Sequence, residues 1–179
     1  MNNNINEFIN ILKKDLSKAQ IVTTEAFKVV DPRDRFFNKS EICIKPKNTK
    51  EISTILKQAN KFNIQIIPVG GSTGLVGGQI ADQNNQVTLS LEKLNKIKFS
   101  KNSNLLDVQS GAILSSIKSL ALNHGRIFPL SLASEGSCQI GGNLATNAGG
   151  LNVIKYGNIR DLCLGLEAVL PSGKILSSM

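Results

Sequence analysis

The chain contains 179 residues and carries a formal net charge of +8, from 21 basic and 13 acidic residues. Hydrophobic residues make up 41% of it, aromatic residues only 4%, and Trp is absent, so we expect a folded core of Ile, Leu, Val and Ala. The lysines are dispersed among acidic residues without a recognisable DNA- or RNA-binding module, which argues against nucleic acid and favours a bound anionic ligand.

The amino-terminal stretch predicts a helix that packs against the core. Apolar side chains recur at three- and four-residue spacing over residues 5–16, so we expect an amphipathic helix that ends near Ser17 or Lys18. A stretch of mixed composition follows it. Within that stretch, Phe36 and Phe37 are expected to anchor in the core.

The next elements predict a small α/β lobe. A short strand over residues 42–45 is followed by a helix over residues 49–62 and by strands over residues 64–69 and 87–91. This order indicates a parallel or mixed sheet. Residues 68–78 then lie at the carboxyl end of a strand, where such folds bind their ligands.

Residues 68–78, the first glycine segment, read P-V-G-G-S-T-G-L-V-G-G. Glycine reaches positive φ without a Cβ penalty, so successive amides can point into one concavity and bind phosphate oxygens. Ser72 and Thr73 add hydroxyl donors. The segment matches neither G-x-x-x-x-G-K-[ST] nor G-x-G-x-x-G, which excludes the common mononucleotide and NAD motifs. A mobile surface loop without a ligand is the alternative.

The second half of the chain predicts antiparallel strands and a helix. Residues 97–99 and 105–109 are expected to pair about a turn at 101–104, and a helix is expected over residues 113–124. The only histidine, His124, ends that helix, where the helix dipole favours a surface role over that of a catalytic base. A cluster of lysines is interpreted as a solvated edge: Lys93, Lys96, Lys98 and Lys101.

Residues 128–150, the second glycine segment, read F-P-L-S-L-A-S-E-G-S-C-Q-I-G-G-N-L-A-T-N-A-G-G. Small residues again alternate with side chains that donate hydrogen bonds. If both segments line one cleft, they offer two runs of closely approachable main chain, which a long ligand with a central diphosphate would span. The alternative is an ordinary loop followed by a Gly/Ala stretch that packs helices.

The cysteines and the first residues indicate the compartment. Cys43, Cys138 and Cys163 are odd in number and far apart, and no C-x-x-C occurs, so we interpret them as reduced thiols without a metal cluster. The start, M-N-N-N-I-N-E-F-I-N, lacks the order of a secretory signal, and no apolar run is long enough to span a bilayer. We therefore expect a soluble cytoplasmic protein with at most peripheral membrane association.

Several stretches together resemble one family of flavoproteins. They are I-I-P-V-G-G-S-T-G-L-V-G-G, S-L-E-K-L-N-K-I, the second glycine segment, K-Y-G-N and L-G-L-E-A-V-L-P-S-G. From about Ser40 onward the chain is similar to the PCMH-type FAD-binding domain of the vanillyl-alcohol-oxidase type. Within that type, it resembles the branch that contains D-2-hydroxyglutarate dehydrogenase, D-lactate dehydrogenase and the glycolate oxidase FAD subunit.

The resemblance implies an α+β, two-lobed domain. Residues 1–37 would form an amino-terminal helix and lead-in, and residues 38–179 the FAD-binding domain. Lobe one, about 38–92, would be a small parallel or mixed α/β lobe. Lobe two, about 93–179, would be mainly antiparallel β with helices and incomplete at its end.

The resemblance also implies which residues contact the cofactor. The diphosphate cradle is matched by Gly70, Gly71, Ser72, Thr73 and Gly74. The run along the ribityl chain and flavin is matched by Pro129, Ser137, Cys138, Gly141, Gly142, Asn143, Ala145, Thr146 and Gly150. Val169, in a strand expected over residues 164–170, falls near the adenine end. Neither segment contains His, and Cys138 occupies a position usual in members that bind FAD non-covalently, so non-covalent FAD is implied.

The implied function is the FAD-binding amino-terminal portion of a flavin-dependent D-2-hydroxy-acid dehydrogenase or oxidase, of the D-lactate, glycolate or D-2-hydroxyglutarate type. Family members continue with more of the FAD domain and a substrate domain, so we expect this chain to be catalytically incomplete alone. Arg126 and Arg160 are interpreted as surface or structural cations. The alternative is a non-catalytic interaction module that assembles with a separate polypeptide carrying the substrate domain.

Overall fold

A four-stranded mixed sheet forms the first lobe in the computed structural model, which describes residues 3–23 and 25–178. Its strand order is β1-β2-β4-β3, with β2, β4 and β3 mutually parallel and β1 antiparallel to β2. The predicted mixed α/β lobe is therefore confirmed. The predicted domain limits at residues 1 and 179 lie outside the described residues. The strands are β1 (Ile21–Thr23), β2 (Ile42–Ile44), β3 (Gln65–Val69) and β4 (Gln86–Ser90).

The helix α2 (Thr49–Lys61) connects β2 to β3, as predicted. It begins after Asn48, whose side-chain oxygen accepts a hydrogen bond of 2.9 Å from the backbone N–H of Glu51. This contact satisfies one of the N–H groups that a helix start leaves without a partner. Ile55 and Ala59, one turn apart, are buried against the sheet. The cap and the apolar spacing are both local, which is why the sequence predicted this helix.

The helix α1 (Asn3–Leu12) ends earlier than the predicted limit near Ser17. Leu16 is nevertheless buried, because one further turn follows in which its backbone N–H donates to the carbonyl oxygen of Leu12 at 2.8 Å. α1 contributes its apolar face to the same core as Ile44 of β2 and Ile55 of α2. The amphipathic pattern was therefore interpreted correctly, but the regular helix is shorter.

The stretch between β1 and β2 contradicts one expectation. Phe36 and Phe37 are 42% and 74% exposed, so the prediction that they anchor in the core is wrong. A Cβ on Gly77 would lie 2.7 Å from the ring of Phe36, and the guanidinium of Arg35 lies 5.3 Å from that ring's centre. Arg35 also donates to the carbonyl oxygen of Leu75. Phe36 thus packs on the first glycine segment, while Val29 of the same stretch is buried in a small cluster with Val69 and Ile80.

The second lobe contains its own core. The antiparallel pair β5 (Ile97–Ser100) and β6 (Leu105–Val108) and the helix α3 (Leu114–Asn123) confirm the predictions for this region. α3 stops before Gly125, whose φ of +67° is readily adopted by glycine. The core of this lobe consists of Ala112, Leu114, Ile117, Leu130, Cys138, Ile140 and Ile159.

Two short helices and a hairpin complete the described chain. The second glycine segment contains α4 (Ile140–Ala145), which the sequence did not predict, and α5 (Val153–Tyr156) follows it. The strands β7 (Glu167–Val169) and β8 (Ile175–Ser177) pair antiparallel, so the strand expected over residues 164–170 is shorter than predicted.

The hairpin β7–β8 is attached to the first lobe. The hydroxyl of Ser53 on α2 donates to the carbonyl oxygen of Gly173 at 2.5 Å. Asn60, also on α2, donates to the carbonyl oxygen of Pro171 at 2.7 Å. The last described strands therefore bind the helix that covers the sheet, and the chain returns to the lobe where it began.

Candidate cofactor site between the two glycine segments

The first glycine segment leaves the sheet at the carboxyl end of β3. Val69, the last residue of that strand, is buried, and the chain turns away at Gly70. Among the residues of this segment, all of which the structure describes, positive φ occurs at Ser72 (+52°) and Gly77 (+75°). Gly70 and Gly71 therefore serve a purpose other than positive φ.

The two glycine segments are in direct contact at Gly71. A Cβ on Gly71 would lie 2.0 Å from the carbonyl oxygen of Ser137 and 3.0 Å from the Cα of Cys138. Real Cβ contacts do not come so close, so only glycine fits here. A Cβ on Gly70 would lie 3.5 Å from the side-chain oxygen of Gln139. The structure thus brings together residues that are more than sixty positions apart in the sequence.

Glycines of the second segment fall into two groups. A Cβ on Gly150 would lie 2.0 Å from the carbonyl oxygen of Ser131, and one on Gly141 would lie 2.7 Å from the Cβ of Ser110. Gly142, on α4, has no atom within 4 Å of the place where its Cβ would be. Gly141 and Gly150 therefore let backbone segments approach each other, whereas Gly142 leaves open space.

The expected cofactor residues differ in their exposure. Cys138 and Asn143 are buried, and the hydroxyl of Thr146 donates to the carbonyl oxygen of Gly142 at 2.9 Å. Val169 lies in β7 of the hairpin that packs on α2. The remaining expected residues are half-buried or exposed: Gly70, Gly71, Ser72, Thr73, Gly74, Pro129, Ser137, Gly141, Gly142, Ala145 and Gly150.

Two buried side-chain oxygens of the second glycine segment have no hydrogen-bond partner. They belong to Gln139 and Asn143, which are 8% and 6% exposed. Burying a carbonyl oxygen without a donor is unfavourable, so such atoms indicate a place where a bound molecule supplies donors. FAD carries ribityl hydroxyls and a flavin N–H, and the residues present therefore fit this group. Gln139 was not among the expected contacts, because the sequence alone does not mark its carboxamide as unpaired.

The cationic side chains near the segments serve structural roles. Arg160 donates from Nε to the carbonyl oxygen of Leu144 at 3.0 Å and from Nη2 to that of Ala145 at 2.8 Å. It therefore caps the carboxyl end of α4. Arg126 is exposed and donates to the side-chain oxygen of Asn104 at 3.1 Å.

The remaining chemically distinctive side chains are held by packing. The imidazole of His124 stacks on the ring of Phe99 with 4.2 Å between centroids. Burial raises the pKa of the Cys43 thiol to about 12, so this thiol stays protonated at neutral pH. The four lysines of the expected solvated edge are all exposed: Lys93, Lys96, Lys98 and Lys101.

Across residues 3–23 and 25–178, no three His, Cys, Asp or Glu side chains are grouped so that they could hold a metal ion. None of the described helices combines the length and the apolar character needed to cross a bilayer.

The fold and the contact between the segments define a nucleotide-cofactor domain of the flavin-binding class. A family model described as FAD binding domain matches residues 40–178. The chain therefore belongs to the FAD-binding domain family, and the recognition made from the sequence is confirmed.

Curated relatives of known name share this part of their sequence. A D-2-hydroxyglutarate dehydrogenase of Xanthomonas citri is 42% identical over 132 residues, which cover 73% of this chain and 28% of that protein. A mitochondrial D-2-hydroxyglutarate dehydrogenase of Danio rerio is 39% identical over 141 residues, or 78% of this chain and 26% of that protein. A Schizosaccharomyces pombe protein, provisionally named a mitochondrial D-lactate dehydrogenase, is 39% identical over 84% of this chain and 28% of its own length. The chain thus spans little more than a quarter of these relatives.

Solved structures of more distant proteins have the same fold. An alkyldihydroxyacetonephosphate synthase superposes with a TM-score of 0.85 at 23% identity, over 95% of this chain and 34% of that protein. The grass pollen allergen Phl p 4, which has glucose dehydrogenase activity, superposes with a TM-score of 0.83 at 18% identity, over 96% of this chain and 37% of its own. At these identities the likeness confirms the α+β fold class and nothing further.

Proposed function

We propose that this chain is the FAD-binding portion of a flavin-dependent dehydrogenase or oxidase that acts on a D-2-hydroxy acid. The observation that carries the proposal is the contact of Gly71 with Ser137 and Cys138, beside buried oxygens that lack donors. The substrate class is suggested by relatives named for D-lactate and D-2-hydroxyglutarate. The glycolate oxidase FAD subunit remains a third type within the same proposal.

The proposed site holds FAD without a covalent bond. Backbone N–H groups of residues 70–74 would bind the diphosphate. The ribityl chain and flavin would lie along the matched residues of the second glycine segment: Pro129, Ser137, Cys138, Gly141, Gly142, Asn143, Ala145, Thr146 and Gly150. FAD, when bound, supplies the hydride acceptor. The residues of this chain bind and orient it, and Cys138 is 2% exposed and packs in the core of the second lobe, which leaves it little surface for covalent attachment. Val169 is retained as a proposed contact near the adenine end.

Substrate binding is proposed to depend on residues outside this sequence. A D-2-hydroxy acid needs a base near its hydroxyl and a cation for its carboxylate. The curated relatives are almost four times as long as the part they share with this chain. We therefore propose that these groups come from further polypeptide or from a partner that carries a substrate domain. The proposed FAD domain keeps the limits 38–179, with lobes at about 38–92 and 93–179.

Cofactor titration tests the proposal. The purified chain should show flavin absorbance, and stripping followed by titration with FAD should give saturable fluorescence quenching with one FAD per chain. NAD should not compete, because the first glycine segment lacks the dinucleotide motif. Anaerobic addition of D-lactate, glycolate or D-2-hydroxyglutarate should leave the flavin oxidised. Failure to bind FAD would overturn the site, and reduction of the flavin would overturn the need for other polypeptide.

A second candidate function is an interaction module that assembles with a polypeptide carrying the substrate domain. The hairpin β7–β8 favours it, because every residue of β8 is exposed and the strand's outer edge is a template for pairing. Exposed apolar side chains surround it: Leu164, Leu166, Leu170, Ile175 and Leu176. A partner that co-purifies with the chain, and is lost in Leu176→Lys while FAD still binds, would support this function.

We also propose a cytoplasmic location. The three cysteines are unpaired in the structure, which fits a reducing compartment. Cell fractionation with an antibody against the chain tests this location. The Danio rerio relative is named as mitochondrial, so mitochondria are the alternative. Recovery of the chain in an organelle fraction would overturn the cytoplasmic location.

A further inference from the structure

Gln139 is held in place by its main chain, whereas its side-chain oxygen has no hydrogen-bond partner. It directly precedes α4, and its carbonyl oxygen accepts a hydrogen bond of 3.1 Å from the backbone N–H of Asn143. It also forms an antiparallel bridge with Ile113. These contacts fix the position of its Cα, and therefore the direction in which the side chain leaves the chain.

The carboxamide of Gln139 points to the junction of the two glycine segments. Its Oε1 is buried without a hydrogen-bond partner, and it lies 3.5 Å from the place where a Cβ on Gly70 would be. The residue as a whole is 8% exposed. A long polar side chain is thus buried beside the proposed diphosphate cradle with its acceptor unused.

Other buried glutamines of the chain are satisfied, which sets Gln139 apart. The carboxamide of Gln86 donates to the side-chain oxygen of Gln65 at 2.9 Å and accepts from the backbone N–H of Gln83 at 3.1 Å. The carboxamide of Gln79 donates to the carbonyl oxygen of Gly74 at 2.9 Å. Proteins rarely bury a side-chain acceptor without a donor, so Oε1 of Gln139 is expected to receive one from water or from a bound molecule.

We propose that Oε1 of Gln139 accepts a hydrogen bond from bound FAD and so joins the two glycine segments around the cofactor, an inference that rests on the proposed function. The donor is a ribityl hydroxyl or the flavin N–H, because the diphosphate offers acceptors only. Gln139 contacts the half of the cofactor that runs from the diphosphate to the flavin, whereas the glycines beside it only leave room for the ligand. In the free protein the residue lowers stability, and cofactor binding removes that penalty.

The test compares Gln139→Met with a matched variant, Gln86→Met. Methionine keeps the length of the side chain and removes the polar atoms. We expect Gln139→Met to bind FAD about tenfold more weakly by fluorescence titration, while the unfolding temperature of the cofactor-free chain stays the same or rises. Gln86→Met should do the opposite, lowering that temperature and leaving the dissociation constant of FAD within about twofold.

The possible outcomes separate this inference from the proposed function. If the unmodified chain does not bind FAD, the proposed function fails first. If it binds FAD and Gln139→Met binds equally well, the role of Gln139 is overturned. The role is also overturned if Gln139→Met loses stability as Gln86→Met does, because that result marks a structural residue. Should Gln139→Met not fold, Gln139→Asn keeps the carboxamide but withdraws it by one methylene, and the same loss of FAD affinity is expected.

Discussion

Gly71 and Gly142 look alike in the sequence, yet they have different surroundings and different roles in the structure. The space beside Gly71 is filled by the backbone of Ser137 and Cys138, so this glycine joins the first segment to the second. The space beside Gly142 is open. One glycine is therefore needed for folding and the other for access. The comparison shows that a glycine-rich segment is not one uniform cradle, and each of its glycines can be tested separately.

The largest effect is expected for Gly71→Val. Its Cβ would meet the carbonyl oxygen of Ser137 at 2.0 Å, and a backbone atom cannot move aside as a flexible side chain can. We expect a loss of about 3 kcal/mol or more in the free energy of unfolding, measured by urea denaturation of the cofactor-free chain. FAD binding should disappear with the contact between the segments. An unchanged urea midpoint would show that the two segments do not pack as described.

The next largest effect is expected for Gly142→Ala, which should weaken FAD binding without lowering stability. Gly142 lies inside α4, where alanine is more favourable than glycine by up to about 1 kcal/mol, so the cofactor-free chain should keep or gain stability. The new methyl group would occupy the open side, and we expect FAD to bind at least about tenfold more weakly. Fluorescence titration measures the change in FAD affinity, and urea denaturation measures the change in stability. Weaker binding accompanied by lower stability would remove the distinction from Gly71.

A smaller effect is expected for Arg160→Met, which tests how the second segment is held in place. Arg160 caps α4 through the carbonyl oxygens of Leu144 and Ala145, and the substitution leaves these two acceptors to water. We expect a loss of about 1 kcal/mol in the free energy of unfolding and a severalfold rise in the dissociation constant of FAD. Arg126→Met is the matched control, since its guanidinium forms its hydrogen bonds outside α4, with Asn104 and Gly125. It should leave the dissociation constant of FAD unchanged and shift the free energy of unfolding by less than about 0.5 kcal/mol. Equal effects of both substitutions would point to net charge instead of the cap.

The parts of the fold that the sequence predicted are those set by local pattern. α2 has its cap at Asn48 and its buried residues one turn apart, and α3 ends before a glycine with positive φ. The strand β1 was missed because three residues carry little pattern. It is a strand only because Ile21 pairs with Ile44, and that partner lies more than twenty positions away.

The candidate site was predicted in outline and missed in two details. The helix α4 has two glycines in six residues, a composition with low helix propensity, and it forms because Arg160 caps it and Gly141 packs closely on Ser110. Gln139 was missed because the sequence does not distinguish an unpaired carboxamide from a paired one such as that of Gln86. Both details depend on contacts between distant positions.

The smallest effect is expected for Gly136→Ala, at a second glycine that has open space beside it. Gly136, like Gly142, has no atom within 4 Å of the place for a Cβ, and it too belongs to the second glycine segment. It lies before the contact of Ser137 with Gly71 and outside the residues proposed to bind FAD. We therefore expect a change of less than about 0.5 kcal/mol in the free energy of unfolding. The dissociation constant of FAD should stay within about twofold. A large loss of FAD affinity in Gly136→Ala would show that the cofactor covers more of the second segment than proposed. Because Gly136 and Gly142 both have open surroundings, it would also show that open space alone does not identify Gly142 as the point of access.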